Sequence, residues 1–285
     1  MAVRTAIRLG SDRLTANELL SFLGRAWWPL LVYPGGLTAF ALVGLLGRFE
    51  RSASPIHHSP DLFARVSAVA APWLALALTP LPSVVNLGRP LDAVALLALL
   101  EWPLLLAVAT ALTTGDKAAW QAAGRRVAAV LNGYPSLLLA LLALAWSGGS
   151  LQLTTLASPP DDLATLTTKG LHWFGAVTLA LALPPVLGLG PFAAPPPGDL
   201  ALRIGLRLRL LGYLALAVLP WFPLPGDNAW LRPLPPIVIA LLLWLFNRIA
   251  KGGTRRWAVA YNVFAAVQLL ALLGVALDAL RLRVT

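Results

Sequence analysis

Cysteine is absent from all 285 residues, which removes disulfides, thiolate metal sites, iron–sulfur clusters and thiol catalysis together. Histidine is nearly as scarce. His57 and His58 sit side by side in a polar stretch and His172 stands apart, too few for a haem or metal site. Charge is sparse as well, 12% of residues, and acids are outnumbered: 12 Asp and Glu against 22 Lys and Arg, for a net +10. The remainder is apolar, with 58% hydrophobic residues and a mean hydropathy of +0.76. That composition does not describe a soluble globule and makes the bilayer the solvent. The positive balance does not point to nucleic acid, because no basic face or aromatic platform accompanies it. Lys and Arg fall in short gaps between apolar runs, where they act as topology signals and lipid head-group contacts.

About eight apolar runs can be marked, near 28–47, 66–81, 92–112, 127–146, 171–189, 208–224, 234–249 and 257–277. Some twenty residues at about 1.5 Å each match the roughly 30 Å hydrocarbon core, so the fold class expected is an all-α integral membrane protein. The clearest run is the fourth, entered through a basic turn, Gly124-Arg125-Arg126, and left through Ser147-Gly148-Gly149. Residues 1–25 mix charge with apolarity and read as an interfacial segment; 26–285 read as one polytopic domain. The first long apolar run begins near Trp28 without a small-residue cleavage site, which speaks against a removable signal peptide. No internal repeat is visible. The 11 tryptophans fall largely at span ends, as interface anchors do.

With eight spans, the loops after the odd ones carry Arg48, Arg51 and Arg65; Lys117, Arg125 and Arg126; Arg203, Arg207 and Arg209; and Arg248, Lys251, Arg255 and Arg256. The opposite loops carry only Arg89, Lys169 and Arg232. The richer set is therefore expected in the cytoplasm, with both termini outside a cytoplasmic membrane of bacterial or archaeal type.

One charged residue falls near the middle of a span. Glu101, in Leu99-Leu100-Glu101-Trp102-Pro103, would cost roughly 3 kcal/mol or more if ionised and alone at mid-bilayer. Two roles fit it, a proton relay or a neutral carboxyl hydrogen-bonded to a neighbouring helix, and no second mid-span acid, Lys or His is evident. Asp92, Asp227 and Asp278 lie at span ends or in loops. Arg203, Arg207 and Arg209 could hold topology and lipid, or an anionic partner surface.

Several short stretches, taken in order, resemble one family. Pro34-Gly35-Gly36-Leu37-Thr38 followed by Glu50-Arg51, then Asn86-Leu87-Gly88, Ala122-Ala123-Gly124-Arg125-Arg126, Asn132-Gly133-Tyr134, the small-residue exit Ala145 to Leu153 and Gly190-Pro191-Phe192 are similar to the motifs of the H subunit of NADH:quinone oxidoreductase (complex I) and of its relatives in membrane-bound hydrogenases. The resemblance implies an H-subunit-like bundle that contacts antiporter-like membrane-arm subunits and a cytoplasmic redox or catalytic module. It also implies a quinone pocket near the cytoplasmic ends of the first, fifth and sixth spans, and a proton path. The departures matter: Pro135 stands where the family has a glutamate, and its acid-rich fifth loop is reduced here to Asp199 among prolines. The expectation is a non-catalytic anchoring subunit that binds no cofactor itself, with Arg51, Arg125, Arg126, Arg203, Arg207 and Arg209 as docking candidates. A quinone-binding subunit and an independent transporter using Glu101 remain as alternatives.

Overall fold

The computed structural model describes residues 61–80, 91–157, 165–221, 234–250 and 253–284. The interfacial segment 1–25, the first expected span, Pro34, Gly35, Gly36, Glu50, Arg51, His57, His58 and Asn86-Leu87-Gly88 lie outside them. The protein is all-α, with no strand among the described residues. Seven long helices occupy the regions of the second to eighth expected spans: α1 (Leu62–Leu78), α2 (Ala93–Thr113), α3 (Lys117–Gly148), α5 (Leu166–Val186), α6 (Leu200–Val218), α7 (Leu234–Ile249) and α8 (Thr254–Val284). A single turn, α4 (Leu153–Leu156), follows α3. Among the described residues four helices, α2, α3, α5 with the turn that follows it, and α8, are long and apolar enough to cross a membrane. The shorter apolar α1 and α7, of 17 and 16 residues, sit at the lower limit for spanning.

Among the described residues, most of the acids stand at helix starts. Asp61, Asp92, Asp116 and Asp199 each accept a hydrogen bond from a first-turn amide, of Leu62, Val94, Ala118 and Ala201 respectively, at 2.7–3.0 Å. Each cap satisfies donors that lipid could not and sets its carboxylate at the positive end of the helix dipole. These caps explain two departures from the expected boundaries. Capped at Asp116, α3 runs for 32 residues, about 48 Å. Gly124-Arg125-Arg126 is therefore part of the helix, not a turn before it, because one Gly costs only about 1 kcal/mol in a long helix and Arg is a good helix former. Capped at Asp199, α6 begins eight residues earlier than expected, so Arg203, Arg207 and Arg209 stand on a helix and not in a loop.

The main core is built where α3 and α5 pack along their length, joined by α2 and α6 through Leu96, Leu100, Leu137, Leu144, Leu183 and Leu216. Helix α6 also lies against α1 and α2. Its buried face reads Leu202, Gly205, Leu208, Arg209, Gly212, Tyr213 and Leu216, the three- and four-residue spacing of one helical stripe. Two glycines make that contact possible. A Cβ on Gly205 would run into the Ala68 carbonyl of α1, and one on Gly212 would run into the Leu100 side chain of α2. At the far end, reciprocal backbone bonds on either side of the Asp92 and Gln152 pair fasten the start of α2 to the exit of α3: Ala93 N to Leu151 O at 3.0 Å and Leu153 N to Leu91 O at 3.1 Å. Outward faces are apolar, as in Leu131, Leu138 and Leu142 on α3 and Val259, Val263 and Val267 on α8.

Candidate functional site

Close packing at Gly205 and Gly212 brings the middle of α6 against the middle of α2, and that is where Glu101 finds its partner. Arg209 donates to Glu101 Oε1 through Nη2 at 2.6 Å and Nε at 3.2 Å. The Tyr213 hydroxyl, one turn further along α6, donates to the same oxygen, and Tyr134 of α3 adds its hydroxyl 3.1 Å from that of Tyr213. Arg209 also stacks on the Tyr213 ring, 5.0 Å from its centroid. The cluster is enclosed: the Arg209 and Glu101 side chains are 4% and 13% exposed, and Tyr213 is fully buried. Glu101 is thus neither alone nor a neutral carboxyl held by a neutral group. With three donors on one oxygen, two of them from a guanidinium, the arrangement is that of an ionised carboxylate in a charge-assisted pair. Its other oxygen, Oε2, is buried without a hydrogen-bond partner.

Arg209 also faces the other way. It forms part of the wall of a cavity of about 460 Å³ at the end of the bundle where α3 and α6 begin and α5 finishes. Arg126 of α3 and Arg203 and Arg207 of α6 line the same space, together with Leu104, Val130, Leu187, Leu206 and Leu210. No Asp or Glu is among its described lining residues. The outer wall is the proline-rich segment between α5 and α6, and this segment is fixed by contacts along its length. Asn247 of α7 accepts from the Gly190 amide at 2.8 Å, Thr254 of α8 donates to the Pro191 carbonyl at 2.9 Å, Arg126 donates to the Pro195 carbonyl, and Arg203 donates to the Gly198 carbonyl at 2.9 Å. Within it, Gly190–Phe192 forms one turn of 3-10 helix that buries Phe192 edge-on against Tyr261 of α8, ring centroids 5.6 Å apart. Asp199 closes the segment twice over, as the cap of α6 and as the partner of Arg65 on α1 at 3.0 Å.

The candidate residues therefore divide into three groups. Arg126, Arg203 and Arg207 converge on the cavity; Arg209 joins it to Glu101; Arg125 is exposed on the outer side of α3. Arg209 was expected among loop residues available to a partner, and its burial against Glu101 places it inside the bundle instead. Phe192 lines the cavity, while Pro191 and Asp199 tie the segment that walls it to α8 and α1. Tyr213, which completes the cluster, carries no sequence signal of its own, and Tyr134 was legible only as part of Asn132-Gly133-Tyr134, with nothing to link it to Glu101. The signal for Arg209 was present in its spacing, four residues after Gly205 and three before Gly212, which puts a cation on the face through which α6 makes its closest contacts.

No protein-family profile matches this chain, and no curated protein does. Among solved structures, a chain of the membrane-bound sulfane sulfur reductase (MBS), an archaeal respiratory membrane complex, shares the fold. The TM-score is 0.56 at 17% sequence identity, and the match covers 89% of this chain and 94% of that one.

Proposed function

We propose that this chain is an H-type membrane-arm subunit of a respiratory, ion-translocating assembly of the complex I or membrane-bound hydrogenase kind, and that it anchors a peripheral catalytic module. The observation that carries the reading is the design of one end of the bundle: a rigidly tied loop, a cluster of arginines and an exposed Arg125 beside them, all on a frame whose fold extends over nearly the whole of a chain from a respiratory membrane complex. Multiple contacts that fix a surface loop lower the entropy lost on docking. Within this reading the arginine end faces the cytoplasm, both termini lie outside, and antiporter-like subunits cover the apolar flanks. The Glu101–Arg209 pair is a structural element that locks α2 to α6. Its carboxylate is already engaged by three donors, and a relay would have to break them at each proton transfer.

A second reading, a quinone-binding subunit, is favoured by the cavity's size and its leucine and valine lining. It is the weaker of the two, because a neutral ring needs none of Arg126, Arg203 and Arg207. A photo-activatable residue in place of Arg125 tests the anchor. Irradiation of intact cells should cross-link it to a soluble cytoplasmic subunit. Cross-links to lipid or to an extracytoplasmic protein alone would sink the docking role.

A further inference from the structure

The arginine cavity asks for an occupant that the anchoring role does not supply. Arg126, Arg203 and Arg207 gather on a concave wall beside Arg209, whose own charge is met by Glu101, and the rest of the lining is mostly apolar. A basic concavity between membrane helices on the cytoplasmic side is the setting in which anionic lipid head groups are held. We propose that this cavity binds an anionic phospholipid, its phosphate between Arg126 and Arg203 and the first part of its acyl region along Leu206 and Leu210.

Three features favour a lipid over other anions. The volume of about 460 Å³ lies within the roughly 300–1,000 Å³ of small-molecule sites and is many times the share of one water, about 30 Å³, so a bare phosphate would leave most of it unfilled. Its wall is mixed, cationic and aliphatic, which suits an amphiphile and leaves a hydrophilic anion with apolar surface to wet. Arg126 and Arg203 are also held in place, each donating to a carbonyl of the Pro195–Gly198 stretch at the outer wall. Their planar forks are therefore oriented before the ligand arrives, which favours bidentate phosphate recognition. The inference rests on the protein lying in a membrane and not on the identity of its partners, so either can fail without the other.

The test is native mass spectrometry of the full chain, in whatever assembly it is extracted with, after exchange into mild detergent and addition of phosphatidylglycerol or phosphatidylcholine of matched acyl length. The wild type should retain phosphatidylglycerol at least tenfold over phosphatidylcholine, and the preference should fall to near parity in Arg126→Gln/Arg203→Gln. Leu206→Trp, which fills the aliphatic part and keeps every charge, should also release the lipid. Equal retention of the two lipids by the wild type overturns the proposal without recourse to any variant. So does a preference that survives both variants, which would place the lipid elsewhere. Inorganic phosphate that competes phosphatidylglycerol away at the concentration where it binds alone would show a free-oxyanion site, and a co-purified quinone in the cavity would show a neutral ligand; each refutes the lipid.

Discussion

Replacing Glu101 by Gln preserves shape and removes one charge, and its effect follows from the geometry around Oε1. At 2.6 Å and an effective dielectric constant near 20, the attraction between the carboxylate and the Arg209 guanidinium is about 6 kcal/mol before desolvation is subtracted. Desolvation of two buried ions offsets much of that, so the pair as a whole is of little net benefit compared with apolar residues of the same size. Breaking it from one side is different. In Glu101→Gln the Arg209 charge stays buried with a neutral acceptor in front of it, and the expected loss is about 3–5 kcal/mol, nearer the lower figure because the amide oxygen still accepts from Arg209 and Tyr213. Arg209→Met should cost a similar amount by stranding the carboxylate. The double variant Glu101→Gln/Arg209→Met removes both charges and should recover much of the loss, giving a coupling energy of at least about 2 kcal/mol in the double-mutant cycle. Unfolding in mixed detergent micelles, followed by the fluorescence of the tryptophans, measures all four proteins. Were Glu101 a neutral carboxyl, Glu101→Gln would exchange one hydrogen bond for another and change stability by no more than about 1 kcal/mol. That small value, with no coupling to Arg209, refutes the ion pair.

The neighbouring tyrosines should rank by what they touch. Tyr213→Phe removes a donor to a charged group and should cost about 1.5–3 kcal/mol, whereas Tyr134→Phe loses a neutral contact worth about 1 kcal/mol; equal losses in the same unfolding assay would contradict the arrangement. Gly205→Ala places a methyl against the Ala68 backbone carbonyl and should destabilise by about 1–3 kcal/mol, while Gly124→Ala, with open space around it, should be neutral or slightly stabilising; the reverse order would mean that α6 does not lie on α1 as described. Asn247→Ala frees the Gly190 amide, and hydrogen exchange across 187–199 should quicken while α3 and α5 keep their protection. Because the chain has no cysteine, Arg125→Cys can be labelled alone. An impermeant thiol reagent should leave it unmodified in intact cells and modify it after lysis, and modification before lysis would invert the proposed orientation.

Where the helices lie was readable because apolar length is a strong signal. The seventh run was placed at 234–249 and α7 is Leu234–Ile249; the third was placed at 92–112 and α2 is Ala93–Thr113. Their starts were readable only where a cap adjoins the apolar run. At α3 and α6 the caps, Asp116 and Asp199, are separated from the apolar stretch by about two to three helical turns that carry the basic residues, so these charged turns read as loop. In a membrane protein those turns can extend beyond the hydrocarbon or turn inward, and which occurs depends on what the neighbouring helix offers. Glu101 stood out because a lone charge in a run of leucines is unmistakable. Its partner did not, because the pairing spans 108 residues and is set by the packing angle at Gly205 and Gly212. The arginines of the cavity were legible as a cluster, but their convergence depends on a loop held by Asn247 and Thr254 from helices later in the chain. No local pattern foretells such ties.

The central claim is that this bundle is an anchoring subunit of a larger respiratory assembly, and gentle extraction of the native membrane followed by affinity purification on this chain tests it most directly. The account predicts that membrane-arm subunits with antiporter-like sequences and a soluble redox or catalytic module co-purify in fixed proportion, and that Arg125→Glu lowers the soluble share while leaving the membrane subunits in place. A chain that emerges alone, folded, and transports an ion or solute once reconstituted would contradict it.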